Sequence, residues 1–107
     1  MKTIKFKQYD EEYNLFLVVE NYADNDNIAI ALCGTDIGIF ASLTVNVCSL
    51  PKGYACIDTN NFPEAIDLIK EYNLGEFTNH SVPSGYCTYP IYKLNMENIL
   101  KYSKEVK

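Results

Sequence analysis

Polar and apolar residues alternate with a period of two over most of the first half of the chain, the repeat of a strand that buries one face. In "TIKFKQY" the apolar Ile4 and Phe6 alternate with Lys5 and Lys7. After the charged turn Asp10-Glu11-Glu12, "YNLFLVVENY" is apolar on both faces from Leu15 to Val19, as a central strand would be. "ADNDN" then interrupts the pattern with residues that tolerate left-handed backbone, and predicts a polar turn. "IAIALC" and "IGIFASLTVNV" flank "GTD" and read as a hairpin. Its second arm is expected to carry Ile39, Ala41, Leu43, Val45 and Val47 on one face and Ser42, Thr44 and Asn46 on the other. A turn at Pro51-Lys52-Gly53 leads into the short strand "YACI", and this run of local connections predicts an antiparallel meander.

At "DTNNFPEAIDLIKEYNLG" the period changes to about 3.6. Phe62, Ala65, Ile66, Ile69 and Tyr72 form one stripe, opposed by Glu64, Asp67, Lys70 and Glu71, which predicts an amphipathic helix over 62–72 lying on the sheet. Asn61 is placed to cap its amino end, with Pro63 in the first turn, and Asn73 and Gly75 can take the left-handed geometry that ends it. "EFTNHSVPSGYCTYPIYKLN" reads as two strands around Val82-Pro83-Ser84-Gly85. "NMENILKYSKEV" reads as a closing helix capped by Asn95, with Met96, Ile99, Leu100 and Val106 turned inward. The expected fold class is therefore α+β. Residues 1–107 form a single domain, an antiparallel meander of about five to seven strands with one amphipathic helix packed on it and a short C-terminal helix.

The composition agrees with a chain that folds unaided, since 107 residues at 48% hydrophobic and 21% charged lie far from the profile of disordered segments. No apolar run reaches the ~20 residues of a membrane helix, and the amino end alternates lysine with apolar residues where a secretory signal needs a continuous stretch. A cytoplasmic location is expected. The net charge of −5 comes from 14 carboxylates against 9 lysines, with no arginine. Without the planar fork that grips phosphate and guanine edges, direct nucleic-acid binding is not expected, and a partner with a basic surface is the better match.

Cys33, Cys48, Cys56 and Cys87 form no C-x-x-C pair and have no neighbouring histidine, which excludes the usual zinc and dithiol templates. Reduced thiols packed as small hydrophobes are expected. The single histidine, His80, falls in the polar stretch "TNHSVP" without a matched acid, base or nucleophile. Asp58, Asn60 and Asn61, with Ser84, make a candidate ligand-binding group, although capping and an Asx-type turn account for the first three without any ligand. Tyr86, Tyr89 and Tyr92 surround Pro90, which cannot donate to a ladder and so predicts an edge strand or a bulge. On an edge, rings left outside the core would serve as interface anchors. These three tyrosines, with Asp24 and Asp26 steering a partner, form the candidate partner-binding set.

The pieces "NIAIAL…GIFASLTVNV", "IDTNNFPEAIDLIKEYNLGE" and "SGYCTYPIYKLNMENIL" resemble a family of short proteins of unknown function from bacteriophages and mobile elements, with Ser84-Gly85-Tyr86 and Tyr89-Pro90 as the most specific element. The match runs from about residue 27 onward. This resemblance transfers no catalytic residue and no cofactor. It implies a context in which small acidic proteins act on host defence systems, as inhibitors of CRISPR effectors do. Three functions follow as expectations: a stoichiometric inhibitor of a host defence protein, a binder that sequesters a signalling nucleotide, or a structural domain that pairs with itself or another protein. An enzyme is not expected, because no nucleophile, base and orienting group stand at recognisable spacing.

Overall fold

The structure of the chain, a computed structural model, describes residues 2–35 and 37–103. Val106, expected inside the core, and Asp36, expected in a hairpin turn, lie outside the described residues. Among the described residues, eight strands and two helices follow in the order β1 Ile4–Gln8, β2 Glu11–Asn21, β3 Ile28–Gly34, β4 Gly38–Ser42, β5 Thr44–Val45, β6 Tyr54–Ile57, α1 Ala65–Tyr72, β7 Gly75–Ser84, β8 Cys87–Leu94 and α2 Met96–Lys101. The α+β class holds, but the single sheet of five to seven strands does not. The strands divide into two antiparallel sheets of four, ordered β1-β2-β3-β4 and β5-β6-β8-β7.

The first sheet is the meander its alternation predicts. β2 pairs with β1 from Leu15 back to Glu11 and with β3 from Leu15 on to Asn21, so its two neighbours overlap only at Leu15. Ile4, Leu15, Leu17, Ile30 and Leu32 point into the core from this sheet, and Phe6 and Phe40 pack edge to face at 5.4 Å beside them.

The chain leaves this sheet at Leu43, and the face assignment expected for 39–47 fails there. Ile39 is exposed, Phe40 packs on the core, Leu43 is fully buried and so is the polar Thr44. The reason lies in the backbone of Leu43, which donates to Ile30 O at 2.9 Å and accepts from Asp58 N at 3.0 Å. One residue thus belongs to both halves, and the period-two register cannot continue through it. Thr44 Oγ1 accepts from Ile30 N at 3.0 Å, which removes the cost of burying it.

In the second sheet, Ala55 and Ile57 of β6 and Tyr92 and Leu94 of β8 join the same core as the first sheet, together with Ala65, Leu68 and Ile69 of α1 and Ile99 of α2. α1 starts at Ala65 rather than 62. Glu64 occupies its cap position without a side-chain cap bond, and Asn61 is instead held by Asp58. Its end follows expectation at Asn73, left-handed at φ 53 and ψ 51, whereas Gly75 already belongs to β7. A Cβ on Gly75 would stand 3.0 Å from Lys93 O, so close strand approach is what requires glycine there. In α2, Asn95 caps as expected by accepting from Asn98 N at 3.2 Å, while Leu100, expected inward, is exposed.

Candidate functional site

The strand carrying the tyrosines is not an edge. β8 lies between β6 and β7, and Pro90 is accommodated differently. β6 pairs with β8 only at Ile91, Tyr92 and Lys93, so its ladder stops short of the proline. On the other side β7 bulges: Phe77 pairs with Tyr92 and Ser81 with Pro90, which sets Thr78, Asn79 and His80 opposite Ile91, with Asn79 at φ 68. Pro90 thus lies where the β6 ladder has already ended and beside a bulge in β7.

The three rings consequently part company. Tyr92 lies in the core against Phe77, with ring centroids 5.6 Å apart. Tyr89 is buried on the opposite face, where desolvation first, then a hydrogen bond with Cys87 and the charge of Asp58, push its phenol above the ordinary value. Tyr86 sits in the two-residue turn beside Gly85 (φ 62) and is wholly exposed. Ser84 is exposed at the end of β7. Asp58 is buried and accepts from Asn61 through both oxygens, from its backbone N at 3.2 Å and its Nδ2 at 3.1 Å, and Asn60 is exposed beside them. Asp24 is exposed in the β2–β3 turn.

Only Asp26 of these residues borders a cleft of about 610 Å³ at the end of β2. Val19, Glu20 and Asn21 at the end of β2 form one wall, Leu50 to Tyr54 the facing wall, and Met96 at the start of α2 closes one side. Asn27 holds the walls together. It is buried, and its Nδ2 donates to Asn46 Oδ1 at 3.0 Å and to Cys48 O at 2.6 Å. Its Oδ1 accepts from Leu50 N at 3.1 Å. Asn25 adds a second tie to Asn46 Oδ1 at 3.1 Å. The β2–β3 turn is itself closed by Tyr22 N donating to Asn27 O at 2.8 Å and by Asn21 Nδ2 donating to Asp26 O at 2.9 Å. Left-handed Asp26, at φ 59, completes the turn that "ADNDN" predicts.

The cleft joins apolar walls of Val19, Ile28, Leu50, Pro51 and Met96 to a few polar groups, the composition of a binding site. Two acidic residues, Glu20 and Asp26, and one basic residue, Lys52, are among those that line it. Sequence reasoning singled out Asp26 alone, because Asn27 bonds to partners 19, 21 and 23 positions away. Its signal was present only as the last of four polar residues, Asp24 to Asn27, abutting the apolar run of β3. No group of three or more metal-ligating side chains occurs among the described residues.

The four thiols are free, Cys33 and Cys56 buried and Cys48 and Cys87 half-buried. Burial pushes the Cys56 thiol up to about 11, with smaller contributions from the charge of Cys48 and a hydrogen bond to it. Cys33 is also raised, by burial and then by the charge of Glu20. Both shifts favour the thiol over the reactive thiolate.

The fold and cleft define a small mixed domain, two four-stranded antiparallel sheets sharing one core with two short helices. The chain belongs to the family described as Domain of unknown function (DUF4313), whose profile matches residues 16–106 and so takes in both walls of the cleft. No curated protein and no solved structure matches it. No helix among the described residues is long and apolar enough to cross a membrane.

Proposed function

We propose that the chain is a binding protein without catalytic activity that engages a partner protein at the cleft beside Asn27. The observation that carries this reading is the cleft itself, an apolar recess whose two walls are fixed to each other by a buried, fully bonded asparagine rather than by a mobile loop. Glu20 and Asp26 at its border and a net charge of −5 favour a basic partner surface. The narrower reading is stoichiometric inhibition of a bacterial defence protein in the host cytoplasm. It rests on the resemblance to phage and mobile-element proteins and on the acidity of the chain, which suits occupation of a basic nucleic-acid channel.

Sequestration of a signalling nucleotide is the alternative that the recess volume favours, since about 610 Å³ falls within the range of small-molecule sites. The two carboxylates and the lack of arginine oppose it, because phosphates require positive charge or converging backbone N–H groups. Affinity capture from host lysate with the tagged chain tests these readings. One stoichiometric protein, lost when Met96 and Tyr54 are both replaced by alanine, is the expected result. A bound nucleotide, or recovery of the chain only as a pair with itself, would sink the proposal in favour of the second or third function.

A further inference from the structure

Among the described residues, the cleft borders a stretch of β2 edge that β1 does not cover. β1 covers β2 only from Glu11 to Leu15. Two residues further on, Leu17 N donates to Tyr102 O at 2.8 Å, and Leu17 and Ser103 form a parallel bridge. The end of α2 thus adds to β2 where β1 stops. Backbone groups alternate sides along a strand, so Val19 and Asn21 present their N–H and C=O on the same side as Leu17. The opposite side agrees with this. Ile30, which stands across from Val19, gives its own N–H to Thr44 Oγ1 and its C=O to Leu43 N instead of to β2. Among the described residues none takes up the outward groups of Val19 and Asn21. Both residues line the cleft, with Met96 and Tyr54 within reach of whatever lies along them.

We propose that the β2 edge at Val19–Asn21 accepts an extended, lysine- or arginine-bearing segment of a partner protein as an added strand. This rests on the reading of the cleft as a partner site and names what enters it. Three observations select that occupant. An exposed edge pairs with extended backbone, which supplies affinity while side-chain recesses supply selectivity. The edge already accepts one added segment at Leu17, so its next two positions continue an established ladder. Glu20 and Asp26 outnumber Lys52 along the recess, which favours a basic segment and disfavours a second copy of this acidic chain.

The test titrates the isotopically labelled full chain with an acetylated, amidated hexapeptide of alternating lysine and valine at low ionic strength. Its glutamate counterpart and a version N-methylated at the valines serve as comparisons. Expected are saturable shifts concentrated at Leu17–Asn21, Tyr54 and Met96, and weakening of about tenfold or more on N-methylation, which removes backbone bonds while keeping the side chains. Val19→Pro deletes an outward N–H that makes no ladder bond to β3, and it should weaken the basic peptide about fivefold where Val19→Thr does not. Asn21→Pro repeats the test at the next outward position, read against Asn21→Ala because the Asn21 side chain also donates to Asp26 O, and thermal melts of each variant identify any that fail to fold.

No saturable binding of the basic peptide, equal binding of the acidic or N-methylated one, or shifts elsewhere would overturn the proposal. So would binding that appears only after deletion of residues 104–107, which would assign the edge to the chain's own end. If a captured partner is lost with Met96→Ala and Tyr54→Ala but kept with both proline variants, the cleft remains the partner site and strand addition alone is rejected.

Discussion

Asn27 and Asp58 are both buried polar residues in asparagine-rich turns, yet Asp58 bonds to a residue three positions on, whereas Asn27 bonds to Asn46, Cys48 and Leu50, 19 to 23 positions on. The first shapes its own turn and delays the start of α1 to Ala65. The second joins two segments that have no ladder between them, and the space between those segments is the cleft. A short polar side chain that finds its partners locally describes the chain's path, while one that reaches across it creates a shaped surface.

The comparison breaks most visibly at Asn27. Asn27→Ala removes three side-chain bonds and leaves Cys48 O and Leu50 N without this partner, so unfolding in urea should show a loss of ~3 kcal/mol, together with weakened partner capture. A loss under ~1 kcal/mol would mean that water replaces the amide and that the tie is dispensable.

Alkaline pH probes the same side of the molecule, because Cys48 lies against the buried Cys56 thiol. The folded state raises Cys56 from the reference value of 9.0 to about 11. Below pH 9 both states keep the proton and its contribution is complete. Between pH 9 and 11 the unfolded chain releases the proton and the folded chain retains it, so stability falls with rising pH, by on the order of 2 kcal/mol. Raised Cys33 and Tyr92 act in the same direction. Denaturation midpoints measured from pH 7 to 11 should decline above about 9, and the decline should be shallower in Cys56→Ala; identical slopes would show that Cys56 is not the group responsible.

At Asp58 the expected effect is smaller. Asp58→Ala should cost ~1 to 2 kcal/mol by freeing the turn before α1, with partner capture unchanged, since Asp58 does not line the cleft. Capture lost in proportion to that of Asn27→Ala would erase the distinction between the two turns. Smallest of all is Tyr86→Ala, within ~0.5 kcal/mol of the unchanged chain in thermal melts, because the ring is wholly exposed at a hairpin tip.

Particular residues show where legibility stopped. Tyr86, Tyr89 and Tyr92 form one candidate partner-binding set in the sequence, and the fold places them in a turn, on an outer face and in the core. Pro90 correctly announced an irregular ladder, but whether the strand was an edge or bulged depended on the length of β7, whose Thr78, Asn79 and His80 absorb the mismatch. Similarly, the clean alternation of 39–47 described an arm that does not exist as one strand, because Leu43 crosses between sheets.

By itself the sequence determined the strand periodicity, the apolar centre of β2, the turns at Asp26 and Asn73, the cap at Asn95 and the acidic character of the surface. Each of these depends on interactions within a few residues or on composition alone. Tertiary structure decided the division into two sheets, the inner position of β8, the burial of Asn27 and the end of the β1 ladder at Leu15. These depend on which segments meet across the core, and neither period nor propensity encodes a partner 19 to 23 residues away.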